Sequence, residues 1–368
     1  MATLPAERAF GPDVSAKPLR TAIFGLGGAA ERLHIPACRA LPGVALEAGC
    51  DPDPAARDRA RSLGVERVYA TAEELLAAVS PQLVLVGTPP ESHFDLCRLA
   101  LEAGAHTLCE KPFVESLEQA DGLLALARDR RLQLAVNTQY RYMPIYRRTR
   151  ERIAAGELGR LYAVQVWQQM FHPPGAEKVD WRRRLRRSTL FEFGGHALDL
   201  LVDLFGDDPL SIACTIPRVR PEYDSDVLVQ ATLRFPAERL ATLWLHRVTH
   251  APLRYLEMRA DCEQASLRLS LGGLARAEAA WSAGPRLRWS LVQGGEAREE
   301  RGGRSKVYAR MAKPAFESAT RALLADFVAR IRSGSLDLAD AERARRVLRV
   351  SLAGYESAEN GGAPVALI

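Results

Sequence analysis

Three places in the sequence bring together residue types that could do chemistry. The first is Glu110-Lys111-Pro112, directly after the apolar run at 106–109. Pro112 disfavours helix at Lys111 and so holds the lysine in extended backbone. A compact ammonium at a strand end can hydrogen-bond a hydroxyl and stabilise a developing alkoxide; the bland alternative is a surface salt bridge with Glu110. The second is Glu192, four residues before His196. On a helix the two share a face, and a carboxylate beside an imidazole orients it and raises its basicity, as suits a general base. Asp199 falls on the same face, while Leu198, Leu201, Val202 and Phe205 make the apolar side. A core histidine capped by Glu192 is the alternative there.

The third place is Gly25-Leu26-Gly27-Gly28-Ala29-Ala30, a GxGxxA pattern after the first apolar run. Gly25 can make the tight turn, Gly27 lets backbone approach a pyrophosphate, and Ala30 is small enough for close packing of the helix whose N-terminus faces the phosphates. An acid, Asp51, closes the next apolar run at the distance a ribose contact requires. Its carboxylate accepts from a ribose 2′-hydroxyl and repels a 2′-phosphate, so NAD is the expected cofactor. Asp53 and Arg57 lie close enough to leave NADP open, and Asp53 reads equally well as a helix cap.

These residues need a scaffold. Apolar runs at 19–25, 45–50, 83–87, 106–109 and 133–137 alternate with helical spacing at 31–41, 54–63, 72–79, 92–103 and 116–130. That alternation means βαβ units and a parallel sheet. Thr71 with Glu74, and Ser116 with Gln119, read as capping boxes, and Gly64 and Gly104 stand where helices should stop. After Tyr142 the texture changes. A helix over 144–155 and an alternating strand over 161–168 lead through an irregular stretch to a helix over 190–205. Strand-like runs follow at 226–235, 240–246 and 255–260, the stretch 275–305 resists placement, and helices over 315–332 and 339–359 close the chain. The expected class is α/β: a flexible lead-in over 1–19, a doubly wound dinucleotide-binding domain over 20–142, and over 143–368 an α+β domain with a large, mostly antiparallel open sheet.

The sequence resembles the glucose-fructose oxidoreductase/inositol dehydrogenase/rhizopine-catabolism (Gfo/Idh/MocA) family. The carrying motifs, in order, are the glycine loop, Thr88-Pro89-Pro90-Glu91-Ser92-His93, Cys109-Glu110-Lys111-Pro112-Phe113 and Gly194-Gly195-His196-Ala197-Leu198-Asp199. The resemblance implies a catalytic Lys111 and His196 assisted by Glu192. It implies a cofactor site of Gly25, Leu26, Gly27, Gly28, Ala30, Asp51, Thr88, Pro89, His93, Glu110 and Lys111. It also implies substrate contacts from Asn137, Tyr140, Arg141 and His196, with Trp181 and Arg182 as further candidates. Two departures stand out: Glu192 occupies a position usually held by Asp, and Arg187-Ser188-Thr189-Leu190 replaces a glycine-rich stretch. Both bear on the substrate more than on the mechanism.

The implied activity is an NAD(P)-dependent oxidoreductase acting on a secondary alcohol, or the matching ketone, of a sugar, cyclitol or sugar derivative. A non-catalytic dinucleotide sensor and a reductase of a non-sugar imine, enone or tetrapyrrole are the rival readings, since fold does not fix substrate. Self-association as dimer or tetramer through the second sheet is expected. Composition trims the rest. With 47% hydrophobic and 26% charged residues among 368, the chain can bury a core. A net +5 is a weak field, so nucleic acid is not an expected partner. The one dense patch, Arg182-Arg183-Arg184-Leu185-Arg186-Arg187, reads as a solvated loop or as a clamp for a substrate phosphate or carboxylate. No apolar run reaches the ~18 residues of a membrane span, and no secretory signal is read. The six cysteines form no CxxC pair and the histidines no metal-ligand spacing, so a cytoplasmic, metal-free protein with reduced thiols is expected.

Overall fold

A computed structural model describes residues 17–173, 180–250, 254–272, 274–280, 286–292, 294–311 and 315–367. Residues 1–16 of the expected lead-in lie outside the described residues. The alternating first part folds into a six-stranded parallel sheet of β1 (Leu19–Phe24), β2 (Val44–Cys50), β3 (Arg67–Tyr69), β4 (Leu83–Val86), β5 (His106–Cys109) and β6 (Leu134–Val136), in the order β3-β2-β1-β4-β5-β6. This is the doubly wound order of dinucleotide-binding sheets. Every side chain of β4 is buried, the pattern of a strand covered on both faces. Strand β3 has no counterpart in the sequence reading, because three residues at a sheet edge carry too short a pattern to register.

The helices of this part are α1 (Ile35–Arg39), α2 (Pro54–Ser62), α3 (Ala72–Val79), α4 (His93–Glu102) and α5 (Leu117–Arg130). Their starts follow local chemistry. Asp53 caps α2 by accepting from the Ala55 N–H at 2.9 Å. Thr71 Oγ1 accepts from the Glu74 N–H at 3.2 Å, and the Glu74 carboxylate reaches back to the Ala70 N–H. The first helix departs from expectation. It is helical from Gly28 and widens to a π-helical stretch over Ala30–His34 before α1. Pro36 has no N–H for the Arg32 carbonyl, and the wider turn, with Ile35 N–H reaching the Ala30 carbonyl, passes over that gap.

The second part contains α6 (Pro144–Ala154), β7 (Leu161–Gln169), α7 (Asp180–Arg184), a π-helical stretch over Thr189–Phe193 and α8 (Gly195–Phe205). There follow β8 (Ser211–Thr215), β9 (Leu228–Phe235), β10 (Arg239–His246), β11 (Leu256–Cys262), β12 (Ser266–Leu271), β13 (Leu274–Ala280), β14 (Arg286–Val292), β15 (Gly295–Arg301), β16 (Arg304–Met311), α9 (Ala315–Ser333), α10 (Ala339–Glu359) and β17 (Val365–Ala366). Nine strands form one sheet, β16-β15-β12-β11-β7-β10-β9-β8-β17, antiparallel throughout except where β7 and β10 run parallel. Strands β13 and β14 pair separately. These two strands and the β15–β16 hairpin fill the stretch that composition left unread. Along β7, Leu161, Val164, Val166 and Gln168 are buried and Trp167 is exposed, the alternation of a half-buried strand.

Two compact units result. One comprises the described residues up to Phe113, with Glu118–Asn137 and Thr320–Glu342; the other comprises Val114–Leu117, Thr138–Ala319 and Arg343–Ile368. The first unit thus closes with residues from the far end of the chain. The Gln133 amide donates to the Ser335 carbonyl at 2.7 Å and accepts from the Asp337 N–H at 3.1 Å.

Candidate active site

In the first unit the glycine loop has the geometry its residue types predict. Gly25 sits at φ +88°, and a Cβ there would lie 2.7 Å from Thr88 Cγ2 and 2.9 Å from the Gly87 backbone. Only glycine fits. At Gly27 a Cβ would meet nothing within 4 Å, which leaves open space on the side from which a pyrophosphate approaches. Ala30 is fully buried, as close helix–sheet packing requires. Asp51 is tied to the loop itself: Oδ2 accepts from the Leu26 N–H at 2.8 Å and Oδ1 from the Asp53 N–H at 2.9 Å. Each carboxylate oxygen thus takes one backbone N–H. Arg57 donates to the Asp51 and Pro52 carbonyls at 2.6 and 3.0 Å, so its guanidinium is engaged by backbone beside the acid. These features fit an NAD adenosine and pyrophosphate.

The strand end that carries Lys111 is anchored from within. Glu110 Oε1 accepts from Asn137 Nδ2 at 2.6 Å and lies 2.9 Å from His34 Nε2, while Oε2 accepts from the Lys111 N–H at 3.2 Å. Burial alone would raise the Glu110 carboxyl. The hydrogen bonds and charges of His34, Asn137 and Lys111 overcome it and hold the group down at about 2. His34 is 1% exposed and belongs to the π-helical stretch of the glycine loop's own helix. Sequence spacing gave no hint of it, because the partners are 76 positions apart. Asn137, expected at the substrate, is fully buried with its amide on Glu110. His93 is fully buried too. One ring nitrogen faces the Pro112 and Phe113 carbonyls at 2.8 and 3.1 Å, the other the Thr88 carbonyl at 2.9 Å, so it straps these two segments together. Thr88 Oγ1 accepts from Ser92 Oγ at 2.8 Å, and Pro89 stands just before the turn into α4.

In the second unit, Glu192 lies in the π-helical stretch and His196 in the first turn of α8, so the expected single helix over 190–205 is broken between them. The Gly194 N–H reaches the Thr189 carbonyl at 2.7 Å, five residues back. A Cβ at Gly194 would lie 2.5 Å from Leu245 Cδ1, so glycine is needed where the turn changes. Glu192 Oε1 accepts from Arg182 Nη2 at 3.1 Å, and the Arg182 guanidinium lies 4.8 Å over the Trp181 ring. Two neighbouring candidates of the irregular stretch therefore meet the candidate acid ten residues further on. His196 is 5% exposed and stacks on Tyr140, ring centroids 3.8 Å apart and planes 8° from parallel. Arg141 Nε donates to Asp199 Oδ2 at 2.9 Å and Nη2 to Thr138 Oγ1 at 2.7 Å. Burial raises the Asp199 carboxyl to about 6 and neighbouring Asp203 adds to this, against the pull of Arg141 and Arg343.

Two residues that sequence reasoning missed support this turn. Asp226, just before β9, accepts from the Ser188, Thr189 and Leu190 N–H groups at 2.6, 2.9 and 3.3 Å and from the Tyr355 hydroxyl at 3.1 Å. Tyr255 shares a hydrogen bond with Tyr140 and accepts from Gln168 Nε2 at 2.9 Å; the same amide donates to the Phe193 carbonyl at 3.0 Å. Of the arginine patch, Arg182 is on Glu192, and Arg187 lies 3.7 Å from the exposed Glu359 and 5.2 Å over the Tyr355 ring.

Two family models match the chain: an oxidoreductase family with an NAD-binding Rossmann fold over residues 19–138, and the GFO/IDH/MocA C-terminal domain over 146–287. The chain belongs to the Gfo/Idh/MocA oxidoreductases. As in that family, its first unit is an NAD-binding Rossmann domain. Among curated relatives, an oxidoreductase of Schizosaccharomyces pombe is 30% identical over 228 residues, 60% of this chain and 61% of the relative. D-glucoside 3-dehydrogenase of Escherichia coli is 33% identical over 195 residues, 52% of this chain and 56% of the relative. The chain thus matches between half and two thirds of the length of these relatives. An Agrobacterium radiobacter oxidoreductase solved with NAD+, L-tartaric acid and magnesium superimposes with TM-score 0.79 at 19% identity, covering 95% of this chain and 98% of that one. Myo-inositol 2-dehydrogenase from Lactobacillus plantarum gives 0.77 at 20%, covering 95% and 99%. At that identity the likeness is one of fold. Among the described residues of this Gfo/Idh/MocA member, no helix is long and apolar enough to cross a membrane and no cluster of ligating side chains could hold a metal. All six cysteines are free and buried.

Proposed function

We propose that the protein is an NAD-dependent dehydrogenase or reductase acting on a secondary alcohol, or the matching ketone, of a sugar, cyclitol or sugar derivative. The observation that carries this reading is a buried histidine stacked on Tyr140, directly after the π-helical stretch that holds Glu192, in a chain whose NAD-binding unit presents Lys111 at the end of β5. Bound NAD supplies the hydride acceptor. His196 takes the hydroxyl proton, Lys111 stabilises the oxyanion that forms, and Glu192 holds a negative charge near the imidazole and the substrate. Asp51 favours NAD by accepting from the ribose. The carbohydrate class is supported by the relative named a D-glucoside 3-dehydrogenase and the neighbour named a myo-inositol 2-dehydrogenase. Self-association through the nine-stranded sheet is supported by exposed Trp167 and Trp244, side by side on adjacent strands at 53% and 39% exposure. Buried, unpaired thiols suit a reducing compartment.

Titration of the purified protein with NADH and NADPH, followed by turnover on a panel of sugars and cyclitols, tests the reading. Tighter NADH binding with turnover of a panel member is the expected result. Binding of neither dinucleotide would overturn it, and NADH binding with no turnover on a broad panel would favour a sensor.

A further inference from the structure

The stack between Tyr140 and His196 has no counterpart in spacing, since 56 positions separate them. Tyr140 is 4% exposed, so its ring is a wall of the protein more than a surface offered to substrate. The wall is itself fixed. Tyr146 lies nearly parallel behind it, centroids 6.3 Å apart and planes 9° from parallel, and Phe316 is tilted against it at 5.6 Å. The hydroxyl is tied through Tyr255 to the Gln168 amide, which also holds the Phe193 carbonyl in the turn leading to His196. One ring therefore fixes the imidazole plane from the side while its hydroxyl is wired to the backbone that delivers the imidazole.

We propose that Tyr140 is a positioning residue for His196: its π-face fixes the plane of the imidazole and favours the imidazolium that forms when His196 accepts a proton. This rests on the reading of His196 as the proton acceptor. An aromatic face attracts a cation lying against it, so the protonated ring gains more from the stack than the neutral one. Other charged and titratable groups around the stack are Glu192 with Arg182 on it, Asp199 with Arg141 on it, Tyr146, and Tyr255 with Arg247 near it. Tyr140 lies flat against the imidazole, so removing its ring removes the stack itself.

The test is a pH titration of the full chain carrying 13C-labelled histidine, read by proton–carbon correlation, with His196→Ala assigning the resonance. The wild-type imidazole protons are expected upfield, inside the ring current of Tyr140. In Tyr140→Leu they move downfield, and the protonation equilibrium falls by about three- to tenfold. Tyr140→Met, which fills the same space without a π-face, guards against a Leu variant that does not fold. Tyr140→Phe keeps the face and is expected to keep both the shift and the titration. An unmoved titration in both the Leu and Met variants would overturn the inference, as would a Phe variant that moves as far as Leu. Failure of the underlying reading shows elsewhere: a His196→Ala protein that turns over its substrate at the wild-type rate removes the proton acceptor whatever the spectra show.

Discussion

Two buried carboxylates, one in each unit, have been driven in opposite directions. Glu110 sits among donors, with the His34 ring, the Asn137 amide and the Lys111 N–H, and its carboxyl is held at about 2. Asp199 has an arginine at 2.9 Å, but also deep burial and a second acid, Asp203, nearby, and its carboxyl stands at about 6. The first unit offers its acid a prearranged set of hydrogen bonds; the second offers an ion pair in a crowded, like-charged environment. Burial penalises the ionised form in both places, and the number and aim of the donors decide whether it is overcome. The pattern suits the proposed roles, a first unit that presents a fixed strand end and a second unit whose histidine is proposed to change charge.

The largest break in this contrast comes from the two proposed catalytic groups. Lys111→Ala removes one donor to the oxyanion and is expected to lower turnover by about 10²–10³ with little change in NADH affinity. His196→Ala is expected to lower it by about 10²–10⁴. Steady-state kinetics with NADH titrations alongside check both. A Lys111→Ala protein with wild-type turnover would remove the lysine from the chemistry.

Next in size is the support beneath the histidine turn. Asp226→Ala leaves three N–H groups at the start of the π-helical stretch without their acceptor, a loss expected to cost about 2–4 kcal/mol. Thermal unfolding should show it as a drop of several degrees, with turnover lowered as well because the same turn carries Glu192 and His196. In contrast to Lys111→Ala, stability and activity fall together here. Unchanged melting would mean that water replaces the carboxylate without loss.

The two carboxylates themselves give a signed pair of predictions. A group held below its unfolded value stabilises the fold above that value, so the contribution of Glu110 is lost as pH falls from about 4.5 through 2. The stability gap between wild type and Glu110→Gln should therefore close over that range. A carboxyl raised in the fold has the opposite slope: between about 4 and 6 the folded state binds more protons, and stability from Asp199 declines as pH rises. The stability of wild type relative to Asp199→Asn should fall over that window and level off above it. Denaturant midpoints across pH 2–8 for the three proteins measure both slopes. Slopes of the same sign would show that the two sites are not opposed.

The units also differ in how far the sequence disclosed them. In the first, chemistry follows the ends of strands, so contiguous motifs carried the glycine loop, Asp51 and Glu110-Lys111, and periodicity carried five of the six parallel strands. What escaped there was His34, because a buried partner on another element leaves no local pattern. In the second, the residues that hold the site are mostly remote: Tyr140 from before α6, Asp226 from the edge of β9, Tyr255 from beside β11. Helical spacing placed Glu192 and His196 on one face but could not foresee the π-helical turn between them, since the Ser188, Thr189 and Leu190 N–H groups at its start are held by Asp226, 36–38 positions away. Strand β13 escaped for a simpler reason, since LARAEAA is built largely of Ala with a Glu, residue types that are sparse in strands.

The smallest effect separates two acids that the sequence left entangled. Asp53 caps α2 through the Ala55 N–H and is exposed, whereas Asp51 joins the glycine loop to the end of β2. Asp53→Ala should cost about 1 kcal/mol, the ordinary loss of a helix cap. For a chain of this size that is a shift of roughly 2–4 °C or less in melting temperature, with NADH affinity unchanged. Asp51→Ala should do the reverse in emphasis, weakening NADH binding and narrowing its advantage over NADPH, because the carboxylate that would accept from the ribose and repel a phosphate is gone. Isothermal titration of both variants with both dinucleotides decides the matter. An Asp53→Ala protein that loses NADH preference as fully as Asp51→Ala would place the ribose contact on the helix cap instead of the strand end.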